Sequence, residues 1–173
     1  MLLSRRDSLS HDIIRIAEAK IARRMGKIPE FAKARSVACY YSMGSEVPTH
    51  TLMQGLLDSG RKVCLPSIPG EDLVFREVRD LGRLESGKFD IMEPRNDCEE
   101  CIDPDVIIVP AVGTARDGSR LGYGRGYYDR FLAGLDIPSI VPCYSKQLVK
   151  SVPTEEHDIP VNWIVTEDET IRV

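Results

Sequence analysis

The sequence predicts an α/β fold: three layers, with a mainly parallel sheet carrying helices on both faces. Three observations lead there. The runs Ser36–Ser42, Asp105–Val112 and Ser139–Tyr144 are nearly continuously apolar, as strands covered on both faces are. Helical segments separate the strands, which favours parallel pairing. The length of 173 residues, against ~150 per domain, predicts one domain spanning 1–173.

The elements follow in order. A helix is expected from Leu9 to Met25, because Ile13, Ile14, Ala17, Ile21 and Met25 recur on one helical face. Ser10 is its N-cap, Asp12 suits the positive helix end, a left-handed Gly26 closes it and Pro29 blocks continuation. The strand Ser36–Ser42 runs into a turn at Met43–Ser45. A helix from Thr49 to Asp58 ends at Gly60. Val63–Leu65 is a strand stopped by Pro66, and Leu73–Val78 alternates like a strand with one exposed face. Arg79–Pro104 is polar and punctuated by Pro and Gly, and is read as a long loop. After the strand Asp105–Val112 come a glycine-rich loop, a helix from Arg125 to Leu132, and strands at Ser139–Tyr144 and Val161–Thr166. In such sheets ligands bind beyond the carboxyl ends of the strands, which singles out the loops after Tyr41, Val112 and Tyr144.

Composition narrows the function. Hydrophobic residues make up 42% and charged residues 29%, which excludes a disordered tail, a collagen or a coiled coil. A net charge of −4 argues against a general nucleic-acid binder. No apolar run reaches the ~18 residues of a membrane span, and the charges from Arg5 to Arg24 leave no room for a secretory leader. Five cysteines, odd in number and mostly within apolar runs, suggest a reducing cytoplasm and free buried thiols. Cys98-x-x-Cys101 has no second pair or neighbouring His, so it makes a poor zinc site and reads as coincidence in a polar loop. Three histidines give weak support to histidine-based catalysis.

Gly118–Asp129 carries the chemistry. Gly122, Gly124 and Gly126 alternate, which lets backbone N–H groups approach an anion closely. Arg120 and Arg125 supply bidentate donors, and Asp129 is placed to hold a hard cation bridging phosphate oxygens. The spacing is neither the P-loop nor the dinucleotide fingerprint. Alternating glycines alone also fit a flexible linker or a tight strand-to-helix turn.

Arg120–Phe131, Arg-Leu-Gly-Tyr-Gly-Arg-Gly-Tyr-Tyr-Asp-Arg-Phe, resembles the signature of the 5-formyltetrahydrofolate cyclo-ligase family. Further similar segments fall in the family's order: Tyr41–Thr49, Phe89–Pro94, Tyr144–Gln147, His157–Asp158 and Val165–Glu167. The resemblance implies a ribose-5-phosphate isomerase/CoA-transferase-like fold and an ATP-dependent ring closure. In that reaction the formyl oxygen of 5-formyltetrahydrofolate is phosphorylated, N10 attacks, and 5,10-methenyltetrahydrofolate, ADP and phosphate result. It further implies ATP contacts from Arg120, Leu121, Gly122, Tyr123, Gly124, Arg125, Gly126, Tyr127 and Tyr128, with Arg5 and Arg6 the candidates to compensate for the basic segment that opens the family's first helix. Folate contacts are implied for Tyr41, Met43, Glu46, Tyr123, Gly124, Arg125, Gly126 and Tyr127, with Glu46, Arg125 and Tyr127 catalytic. Asp129 and Asp158 would ligate Mg²⁺. A cytoplasmic monomer or weak dimer is expected, with no nucleic-acid or membrane partner.

Each assignment has an ordinary counterpart. Glu46 also suits a helix start, Asp158 an exposed turn, one of Tyr127 and Tyr128 plain packing, and Arg5 and Arg6 a solvated helix start. The chain departs from the family at three positions. It begins downstream of a Lys-x-x-x-Arg segment, Thr114-Ala115 stands where Phe-Asp is usual, and Ser67 stands where Lys or Arg is usual. Asp117 is the candidate substitute for the missing carboxylate. These departures keep open a non-catalytic folate- or nucleotide-binding paralogue and, more distantly, a sugar-phosphate isomerase-like enzyme.

Overall fold

A computed structural model describes residues 2–173. Successive residues of its central strands feed opposite cores, which is why those runs are apolar throughout. Val37, Val63, Leu65, Val106, Ile108, Ile140 and Val165 pack into one cluster. Ala38, Cys64, Ile107, Val109, Val141 and Ile164 pack into the other. Helices α2 (His11–Met25), α3 (Pro29–Lys33) and α4 (His50–Asp58) cover the first face through Ala17, Ile21, Met25, Phe31, Met53 and Leu56. The second face is covered by α5 (Tyr127–Leu132).

The central strands are β1 (Ser36–Ala38), β2 (Lys62–Ser67), β3 (Val74–Val78), β6 (Val106–Ile108), β9 (Ser139–Pro142), β11 (Trp163–Val165) and β12 (Thr170–Arg172). Their order is β12-β11-β9-β6-β1-β2-β3, parallel except for the two edge strands β3 and β12. This is the predicted α/β arrangement. A smaller sheet joins β10 (Leu148–Val149), β7 (Gly113–Ala115) and β8 (Arg120–Leu121). The short strands β4 (Glu85–Ser86) and β5 (Met92–Glu93) form a hairpin inside the predicted long loop.

Several expectations change. Gly26 closes α2 in a right-handed conformation (φ −59°), and Pro29 opens α3 at a first-turn position, where its missing N–H costs nothing. Ser10 does cap α2, accepting from the Ile13 N–H. Pro66 lies within β2 and does not end it. The Cys64 carbonyl accepts from Cys39 N–H on the β1 side, and two residues on the proline nitrogen faces that side beyond the end of β1. The cysteines are not all free: Cys64 and Cys101 form a disulfide, with Cα atoms 6.2 Å apart, and Cys39, Cys98 and Cys143 remain thiols. That bond and the Cys101 N–H to Phe75 carbonyl hydrogen bond (2.8 Å) clip the polar segment onto the β3 edge.

The sequence reading also missed α1 (Leu2–Asp7). This helix packs on the Ser145–Gln147 turn and on Gly113, where a Cβ would come within 2.5 Å of Leu2 Cδ1. No helix among the described residues is long and apolar enough to cross a membrane.

Candidate functional site

The loops leaving β1, β6 and β9 meet at the carboxyl edge of the sheet, and hydrogen bonds brace each of them. In the first loop Ser42 and Thr49 exchange bonds, Ser42 N–H to Thr49 Oγ1 (3.2 Å) and Thr49 N–H to Ser42 Oγ (3.0 Å). Tyr40 and Tyr144 donate their hydroxyls to the carbonyls of Val47 (2.8 Å) and Glu46 (3.3 Å). Gln147 donates to the carbonyls of Ala111 (3.0 Å) and Val112 (3.1 Å) and accepts from Tyr144 N–H (2.9 Å), binding the β6 and β9 ends together. Glu167 accepts from the backbone and hydroxyl of Ser145 (2.9 and 2.6 Å). The Tyr144–Gln147 and Val165–Glu167 motifs are therefore braces behind the site.

In front of them Arg6, Ser45, Glu46 and Tyr123 converge from three elements. Arg6 is 4% exposed, which replaces the solvated reading. Its Nε donates to Ser45 Oγ (2.9 Å) and its Nη2 to Tyr123 OH (3.0 Å), while Nη1 is buried without a partner. Ser45 in turn donates to Asp7. Tyr123 OH donates to Glu46 Oε1 (3.0 Å), and Met43 N–H donates to Glu46 Oε2 (2.9 Å). Burial raises the Tyr123 hydroxyl pKa above its ordinary value and that of Tyr144 to about 12, so both are donors at neutral pH.

The remaining predicted residues fall into separate groups. Arg125 is exposed, its guanidinium 4.8 Å above the ring of Phe89, a residue that drew notice only as part of the Phe89–Pro94 segment. Gly124 (φ 78°) and Gly126 (φ 63°) take left-handed conformations that bring the chain from Tyr123 into α5. Tyr127 lies half-buried under Arg130 (5.1 Å). Tyr128 packs edge-on to Phe75 (6.3 Å), the packing role expected of one of the pair. Leu121 sits in β8, its carbonyl accepting from Val112 N–H (2.7 Å). Arg120 faces inward: Nη1 and Nη2 both donate to Asp129 Oδ1 (3.0 Å each), and Nη1 also to the Ile159 carbonyl (3.2 Å). Ile159 N–H adds a third bond to that oxygen (3.0 Å), bringing Asp158 beside Asp129. Asp158 Oδ2 accepts from Glu155 N–H (2.8 Å).

Tyr41 packs edge-on to His50 (ring centroids 4.4 Å apart), and Arg5 is exposed on α1. Asp117, the candidate substitute for the missing carboxylate, is exposed. It closes the β7–β8 turn by accepting from Ser119 N–H (3.0 Å), and Thr114 is fully buried. Ser67 is buried with an unpartnered hydroxyl. Among the described residues no group of three or more His, Cys, Asp or Glu gathers to hold a metal.

A profile of the 5-formyltetrahydrofolate cyclo-ligase family matches residues 1–167. The 5-formyltetrahydrofolate cyclo-ligase of Escherichia coli is 31% identical over 96% of this chain and 96% of that protein. That of Saccharomyces cerevisiae is 30% identical over 96% of this chain and 92% of its own. Among solved structures, the 5,10-methenyltetrahydrofolate synthetase of Aquifex aeolicus superposes with a TM-score of 0.87 at 33% identity, covering 99% of this chain and 88% of that one.

Proposed function

Since the chain belongs to the 5-formyltetrahydrofolate cyclo-ligase family, we propose that it closes the N5-formyl group of 5-formyltetrahydrofolate onto N10 using ATP. The formyl oxygen attacks the γ-phosphorus and ADP leaves. N10 then attacks the activated formyl carbon, the carbon–oxygen bond breaks, and phosphate departs with 5,10-methenyltetrahydrofolate as product. An amide oxygen is a poor leaving group and a phosphate a good one, so the nucleotide supplies the driving force. The protein's part is orientation and charge neutralisation.

The observation that carries this reading is that the Tyr123 hydroxyl links the Glu46 carboxylate to a buried Arg6 whose Nη1 has no partner. A buried guanidinium nitrogen left unpaired is costly, and a phosphate oxygen completes it. Arg6 thus provides at the start of this chain a basic group for the nucleotide. Glu46 and Met43 contact the folate, with the carboxylate accepting the N10 proton. The glycine loop from Arg120 to Tyr128 cradles the triphosphate, with Arg125 as its exposed cation and Tyr127 beside it.

Magnesium commonly binds through one or two carboxylates plus substrate phosphates. The pair Asp129 and Asp158 fits that pattern, since Asp129 Oδ2 and Asp158 Oδ1 take part in none of the hydrogen bonds above. These two residues would hold the ion, which would neutralise phosphate charge.

The test is spectrophotometric. Purified protein with 5-formyltetrahydrofolate and MgATP generates methenyl absorbance, with ADP formed about one-to-one as the chemistry requires. Folded protein that binds the folate and gives no turnover at high concentration overturns the reading in favour of a binding paralogue.

A further inference from the structure

We propose that Tyr123 is a positioning residue for this reaction and acts through Glu46. Its hydroxyl accepts the Arg6 Nη2 proton (3.0 Å) and donates its own to Glu46 Oε1 (3.0 Å), so that α1, the Met43–Glu46 loop and the glycine loop together hold one carboxylate in one orientation. The inference rests on the reaction assigned above and adds to it a role for the Tyr123 hydroxyl, which orients Glu46.

Three features carry it. First, both Glu46 oxygens are pinned, Oε1 by Tyr123 and Oε2 by the Met43 N–H, which fixes the plane of the carboxylate. A carboxylate offers about four lone-pair sites, so each oxygen keeps one to accept a substrate proton. Second, the Tyr123 side chain is no part of the core. The residue is 58% exposed, yet its hydroxyl makes two hydrogen bonds to groups 117 and 77 positions away in the chain. A ring with little packing and a fully engaged hydroxyl is placed for the hydroxyl. Third, the other end of the chain of bonds is itself anchored. Arg6 is held at Nε by Ser45 Oγ, and Ser45 by Asp7, so the guanidinium cannot turn to follow Tyr123. A tyrosine hydroxyl is protonated at neutral pH, so it has a proton to give Glu46. Orientation of this kind matters because a shift of about 1 Å at a reacting group can cost on the order of a hundredfold in rate.

The test is Tyr123→Phe, which keeps the ring and removes only the hydroxyl, made in the native chain and in a Glu46→Ala chain. In the native background kcat falls about tenfold and 5-formyltetrahydrofolate binding, read by calorimetry, weakens about fivefold, while the Tm stays within error. In the Glu46→Ala background the same substitution changes folate binding by less than about twofold, because no carboxylate is left to hold. An unchanged kcat in the native background, or an equal loss of folate binding in both backgrounds, overturns the role. A lower Tm with unaltered kinetics also overturns it, since that is what a purely structural contact does. Absence of turnover by the native protein overturns the reaction assignment instead, and the calorimetric comparison still reads Tyr123 in that case.

Discussion

Arg120 and Asp129 are opposite charges held where water scarcely reaches, their side chains 5% and 16% exposed. Removing one partner of such a pair leaves a buried charge uncompensated, a loss far larger than that of a surface ion pair. Asp129→Ala is therefore expected to destabilise the fold by about 3 kcal/mol, read by urea unfolding at neutral pH. The sequence marks both residues as important without showing that they face each other. They are nine positions apart across a glycine loop whose path only the three-dimensional structure displays. Arg6 has the same history. In Leu-Leu-Ser-Arg-Arg-Asp nothing distinguishes a buried arginine from a solvated one, and only Ser45 and Tyr123, remote in sequence, make the difference.

At the scale of elements, helices with periodic faces and strands buried on both sides were legible, and very short strands were not. The two- and three-residue strands β7, β8 and β10 present too little pattern to be separated from loop. The Cys64–Cys101 bond joins a buried strand to a polar segment, a pairing that topology alone reveals. The start of β1 illustrates how such brief elements are held. Asp105 Oδ2 accepts from the N–H groups of Arg35 (2.7 Å) and Ser36 (2.9 Å) and from the Ser36 hydroxyl (3.1 Å). These bonds, the Ser36 N–H foremost, hold its pKa below the ordinary aspartate value. A carboxyl whose folded pKa is depressed contributes stability that is present above its unfolded pKa and is lost as pH falls through the folded one. Asp105→Asn should thus lower the Tm at pH 7, and the gap from the native protein should close as the solution is acidified to about pH 2. Scanning calorimetry across that range is the measurement, and a gap that stays constant would show that the carboxylate charge has no part in holding β1.

For the whole molecule, the two half-cores and the parallel sheet provide a rigid floor, and the site above it is assembled from three distant stretches of chain. Sequence reasoning named residues in all three: the Met43–Glu46 loop and the glycine loop carry motifs, and Arg5 and Arg6 were expected at the nucleotide, though not on a helix. The third, α1, is a helix of six residues. A helix that short has no independent stability in water and exists only through its tertiary contacts, among them those with Gly113, the Ser145–Gln147 turn, Ser45 and Tyr123. On heating, α1 should peel away while the sheet stays intact, taking Arg6 out of the Glu46–Tyr123 network in a local opening that exposes little of either core. Catalytic activity should accordingly fade several degrees below the midpoint at which circular dichroism records loss of the sheet. Saturating 5-formyltetrahydrofolate and MgATP, which bind only the closed form, should draw the two temperatures together.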